Sequence, residues 1–187
     1  NSKPFKWPKR IAACGGDGSI ERVPGQAAWR CGDRESPERV RRVWEHFVSR
    51  KTFDIDGVGE KVTAQLLESG LVQEFGDLFT LQEGDFLELE GFAEISAKNA
   101  VSSIKTAATN VPLARLLAAL SIDHVGEETA RDLSMHFGTI EKLRKADEAE
   151  LLAIDGVGEV VARSLATWFR DKKNSAMLDR LLAHITI

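Results

Sequence analysis

Gly57-Val58-Gly59 and Gly156-Val157-Gly158 carry the clearest chemical signal in this chain. A glycine on either side of an apolar residue lets the backbone turn tightly, because glycine adopts angles that other residues resist. Amides left uncovered by such a turn, at the start of a helix, favour an anion such as phosphate. Self-comparison finds two further copies in register, Gly91-Phe92-Ala93 and His124-Val125-Gly126. The first positions, 57, 91, 124 and 156, are 34, 33 and 32 residues apart. Ile55, Leu89, Ile122 and Ile154 stand two residues before them, and Glu60, Glu94, Glu127 and Glu159 follow each triplet. Six residues after each first position comes a small residue: Thr63, Ala97, Ala130 or Ala162. The next residue is a cation in units two to four, Lys98, Arg131 and Arg163; unit one has Ala64 there, with Lys61 earlier.

The elements that must position these residues follow from the pattern. An apolar helix end enters a tight turn, the central residue tucks between two helices, and the small residue lets those helices approach. This is a helix-hairpin-helix, written four times. Its contacts are expected with the nucleic-acid backbone, which position a protein without reading bases. The candidate DNA-binding residues are Gly57, Val58, Gly59 and Lys61; Gly91 and Lys98; Gly126 and Arg131; and Gly156, Val157, Gly158 and Arg163. The four glutamates read as charges that favour helix N-termini. Ala93 and His124 depart from the pattern, so phosphate binding is expected to be unequal and surest at 57–59 and 156–158. An Asp in place of Gly158 is expected to strain the turn and to put a carboxylate at the phosphate site. Each unit alone exposes apolar surface, so units one and two should pair, as should three and four.

Before these units the pattern differs. "SIERVPGQAAWRC" reads as two short strands around the turn Val23-Pro24-Gly25-Gln26. Ser36 can cap a helix that starts at Pro37 and recurs apolar at Val40, Val43, Trp44 and Phe47. The expected fold is mainly α: four tandem helix-hairpin-helix units in 37–187, a small β-ribbon in 11–36, and a tail in 1–10. Apolar residues make up 43% of the chain, within the globular range. No apolar run is long enough to span a bilayer, and the N-terminus does not resemble a signal peptide. Two cysteines do not suggest a disulfide scaffold, so a cytoplasmic protein is expected. The net charge of −4 hides an asymmetry: residues 1–51 hold 12 Lys/Arg against 6 Asp/Glu, and the remainder is acidic. Such a segment can face a polyanion or can be a solvated basic helix.

"PLARLLAALSIDHVGEETARDL" (112–133), "HFVSRKTFDIDGVGEK" (46–61) and "KPFKWP" (3–8) together resemble NAD-dependent bacterial DNA ligase, in order and over nearly the whole chain. The resemblance implies that the chain follows an oligonucleotide-binding-fold domain and comprises a four-cysteine zinc finger and four helix-hairpin-helix units. It implies duplex DNA, in particular nicked duplex, gripped at the minor groove, with adjoining ligase domains as partners and no membrane. NAD and magnesium would serve the parent enzyme. The Lys-x-Asp-Gly adenylation motif does not occur; Lys145-Ala146-Asp147-Glu148 lacks the Gly. A ligase fragment, or a stand-alone relative without ligation chemistry, is therefore expected, with no catalytic residue. Cys14 and Cys31 match two of the finger's ligands, but Ile11 and Ser36 occupy the other two positions. A structural zinc wants four Cys or His ligands, so no zinc is expected. Pairing of the two cysteines is left open, with a reducing compartment against it. Two other functions remain: a helix-hairpin-helix module of another DNA-repair protein, and a protein-interaction domain without DNA affinity.

Overall fold

The structure is a computed structural model that describes residues 8–22, 29–33 and 35–187. It divides into two units, Asn1–Trp44 and Glu45–Ile187. In the first, β1 (Ile20–Arg22) and β2 (Trp29–Cys31) form an antiparallel ribbon, with Ile20 opposite Cys31 and Arg22 opposite Trp29. The turn expected at Val23-Pro24-Gly25-Gln26 lies outside the described residues. A single 3₁₀ turn, Ala12–Cys14, precedes β1. A disulfide joins Cys14 to Cys31, with 5.4 Å between their Cα atoms, and ties that turn to β2. The two cysteines whose pairing the sequence left open thus close the ribbon covalently.

Helix α1 (Pro37–Val48) starts where Ser36 and Pro37 place it. The Ser36 hydroxyl accepts from the Arg39 amide at 3.4 Å and its carbonyl from the Val40 amide at 3.0 Å. Glu38, in the first turn, accepts from Arg42 at 2.9 Å and Arg41 at 3.0 Å, which lowers its carboxyl pKa. Thr52 ends the helix: its buried hydroxyl lies 2.5 and 2.6 Å from the His46 and Phe47 carbonyls.

The second unit is helical: α2 (Glu60–Glu68), α3 (Glu83–Leu87), α4 (Glu94–Ala107), α5 (Leu113–Ala119), α6 (Glu127–Phe137), α7 (Ile140–Lys145), α8 (Glu148–Leu152), α9 (Glu159–Arg170) and α10 (Lys172–Leu182). The repeat sets the core. The small residues Thr63, Ala97, Ala130 and Ala162 are at most 1% exposed, and so, three residues later, are Leu66, Ala100, Leu133 and Leu165. Spacing of three puts both on one helix face, which is the face that packs. Phe47 stacks on Phe53 and Phe75, with ring centroids 4.4 and 4.1 Å away. At the C-terminus, Thr186 exchanges backbone hydrogen bonds with Val111 and Ala108 at 2.7 and 2.9 Å, fastening the chain end to the α4–α5 link.

Hairpins one and two pair, and so do three and four. Gln65 donates to the Glu90 carbonyl at 3.3 Å and accepts from its amide at 2.7 Å. The equivalent contact in the other pair is Ser164, whose hydroxyl donates to the Asp123 carbonyl at 2.6 Å. In the reverse direction, Gly57 lies against Ala100 and Gly156 against Asp132.

Candidate nucleic-acid interface

The four turns share one backbone. Gly57, Gly91, His124 and Gly156 all have positive φ, at 82°, 88°, 68° and 82°. The amides of Val58, Phe92, Val125 and Val157 donate back to Ile55, Leu89, Ile122 and Ile154 at 3.0–3.3 Å, closing each turn. His124 therefore occupies a conformation that glycine holds in the other three copies. Val58, Val125 and Val157 are 1%, 8% and 5% exposed, and half-buried Phe92 packs on Phe86. Val58 and Val157 can thus meet a ligand only through their backbone. Their side chains anchor the turn.

The residue that starts each second helix is extended: Gly59 (φ −88°), Ala93 (−133°), Gly126 (−91°) and Gly158 (−85°). Any residue adopts these angles. The expectation that Asp would strain the turn at Gly158 is therefore wrong; strain belongs to position 156. A Cβ at Gly59, Gly126 or Gly158 would meet nothing within 4 Å. The missing side chain leaves room for a ligand, not for protein.

These helix starts differ from three others in the fold, and share the lack of a side-chain cap with α3 and α5, which begin after Gln82 and Pro112. Thr139, Asp147 and Asp171 cap α7, α8 and α10 with side-chain oxygens. Gly59, Ala93, Gly126 and Gly158 supply none to α2, α4, α6 and α9. Omitting the side-chain cap forgoes roughly a few tenths of a kcal/mol of helix stability where Gly stands there and about 1 kcal/mol where Ala does. The Gly59, Gly126 and Gly158 amides meet no acceptor among the described residues, whereas Ser96 Oγ takes the Ala93 amide at 2.9 Å. Hairpin two is thus partly satisfied by its own helix. Hairpin three, despite His124, is as open as one and four.

The cations divide as well. Lys98, Arg131 and Arg163 are exposed and form no ion pair among the described residues; each lies one helical turn beyond the first-turn glutamate of its helix. Lys61 instead reaches Glu90 at 3.4 Å, across the pair of hairpins. Glu127, beside the Gly126 amide, is neutralised by Lys51 at 2.8 Å. The hydrogen bond between them lowers the Glu127 pKa and raises that of Lys51.

A cleft of about 380 Å³ opens at hairpin three, lined by Arg50, Lys51, Ala114, Arg115, Ala118, Glu127 and Arg131. Four cations there face one carboxylate, so the cleft favours a polyanion. Arg50, Lys51 and Arg115 were not among the residues that the sequence singled out. They meet because His46 Nε2 donates to the Ala118 carbonyl at 3.0 Å, holding the end of α1 against α5. The adjacent Arg50-Lys51 pair was the available signal, without indication of what it would face. A larger cleft, about 580 Å³, sets Asp54 and Asp56 against Arg115 and lacks this basic lining. Among the described residues no three His, Cys, Asp or Glu side chains gather as a metal site, and no helix is long and apolar enough to cross a membrane.

A family model for the helix-hairpin-helix motif matches residues 115–178, which hold hairpins three and four. Over 97% of its length the chain is 40% identical to a DNA ligase of Anoxybacillus flavithermus, of which it covers 27%. It is 38% identical over 97% to a DNA ligase of Geotalea uraniireducens, and 38% over 96% to one of Bacillus subtilis, covering 26% of each. The chain thus spans about a quarter of the length of the relatives it matches.

Proposed function

Since this chain is a relative of the C-terminal part of bacterial DNA ligases, we propose that it grips duplex DNA by its backbone, across the minor groove and without reading sequence. The ligase is read as NAD-dependent and nick-sealing, and this segment supplies its hold on the nicked duplex. Adjoining ligase domains are its partners, and the bacterial cytoplasm its compartment. The observation that carries the reading is the repeated, uncapped helix start: the Gly59, Gly126 and Gly158 amides share one geometry and meet no acceptor among the described residues, and a Cβ there would meet no described atom within 4 Å. Lys98, Arg131, Arg163 and the Arg50/Lys51/Arg115 cleft add positive charge, although the chain's net charge is −4. Such local fields, and not the total, attract phosphate at short range.

The adenylated lysine, NAD and magnesium belong, on this reading, to other parts of the enzyme. The zinc that the family implies does not fit the residues here. Cys14 and Cys31 are bonded to each other, the Ser36 hydroxyl serves the Arg39 amide, and Ile11 has no donor atom. In this structure the Cys14–Cys31 bond joins turn to strand.

The test is fluorescence anisotropy with nicked and intact duplexes at several salt concentrations. Affinity should fall steeply with salt and be indifferent to sequence. Arg163→Ala should reduce the logarithmic salt slope by about one unit. Absence of binding at low salt, with a folded protein, would turn the reading towards a protein-interaction domain.

A further inference from the structure

The second residue of each hairpin helix divides the hairpins into two kinds. It is Lys61 in hairpin one and Glu128 in hairpin three, but Ile95 in hairpin two and Val160 in hairpin four. Ile95 is 77% exposed and Val160 is 60% exposed, among the most exposed large apolar side chains described. Each pair of hairpins therefore holds one charged and one apolar copy. A lone exposed apolar residue needs no explanation. Two at the same register position, each two residues after the start of an uncapped helix, are a pattern.

We propose that Ile95 and Val160 are apolar contacts to the deoxyribose edges of the duplex minor groove. The inference rests on the DNA-binding reading above and extends it beyond phosphate. A phosphate seated at a helix start brings its flanking sugars beside the second helical residue. On α4 the apolar side chain is followed, one turn on, by Lys98; on α9 Val160 is followed by Arg163. Apolar surface beside a cation matches the chemistry of a sugar–phosphate chain. Hairpin two, whose Ala93 amide is already taken by Ser96, has exchanged part of its anion site for the larger apolar contact of Ile95. Hairpin four keeps both features.

The test compares Ile95→Ala, Val160→Ala and the double variant with Met135→Ala, which truncates a 72% exposed side chain late in α6. Alanine is the best helix former, so all four should fold, which circular dichroism checks. Each hairpin variant should weaken duplex binding by roughly tenfold to fiftyfold, the scale of withdrawing two or three apolar carbons from a dry contact. The salt slope should stay unchanged, since no charge is removed. Met135→Ala should bind as wild type. Wild-type affinity in the Ile95 and Val160 variants, while Arg163→Ala still lowers the slope, would overturn this inference and leave the DNA reading intact. An altered salt slope, or an equal loss in Met135→Ala, would overturn it as well. No duplex binding by the wild type would remove both.

Discussion

Replacing Gly158 with Asp should make the protein more stable and a poorer DNA binder, and the two effects come from the same atoms. Gly158 has φ −85° and ψ 174°, an extended conformation that Asp adopts freely, and a Cβ there would meet nothing within 4 Å. The new carboxylate would stand where an N-cap oxygen stands, as Asp147 does for α8 and Asp171 for α10. Capping an open amide, a favourable dipole and a less flexible unfolded chain together give a gain of about 1 kcal/mol. The same charge would face an incoming phosphate at about 4 Å, a repulsion of about 1 kcal/mol in water, rising to about 4 at a less hydrated surface. Because the hairpin is open to solvent, the lower part of that range applies, and a loss of about tenfold in affinity is expected. Urea denaturation reads the first effect, as a higher midpoint with unchanged slope; anisotropy with a nicked duplex reads the second. A lower midpoint would refute the reading of Gly158 as an unstrained, deliberately uncapped helix start. A higher midpoint with unchanged affinity would refute hairpin four as a phosphate site.

Gly156→Ala should behave oppositely, losing about 1–2 kcal/mol of stability because a side chain at φ 82° is strained even where space allows it. Thr63→Val should raise stability by about 1 kcal/mol in urea denaturation, since the Thr63 hydroxyl is buried without a partner among the described residues while its shape is retained. Reducing the Cys14–Cys31 disulfide, which closes a loop at a separation of 17 residues, should destabilise the ribbon by about 3 kcal/mol, measured as earlier proteolysis near β1 and β2. Glu38, Glu127 and Asp179 have lowered pKa values, the last through its hydrogen bond from Arg144. Their stabilisation is complete above the ordinary carboxyl range and is lost as pH falls from that range through the lower folded-state values, so the urea midpoint should drop on acidification. Raised Lys51 gives no loss until well above neutrality.

The chain's residues alone determined the four hairpins, because each is a local event. An apolar residue, a turn at positive φ and a small residue six positions on close the same backbone wherever they occur, even with His124 in glycine's place. Ser36 and Pro37 likewise marked the start of α1 through contacts no more than four residues away. What sequence spacing could not decide is which charges are already spent. Lys61 is held by Glu90, 29 residues on, and Lys51 by Glu127 from a different hairpin. The cleft of Arg50, Lys51, Arg115 and Arg131 exists only because packing brings the end of α1 to α5 and α6. The same holds for the disulfide, whose two cysteines meet only once the ribbon has set its register. Backbone angles answer to neighbours along the chain, whereas the availability of a charge answers to neighbours in space, and those are chosen by the fold.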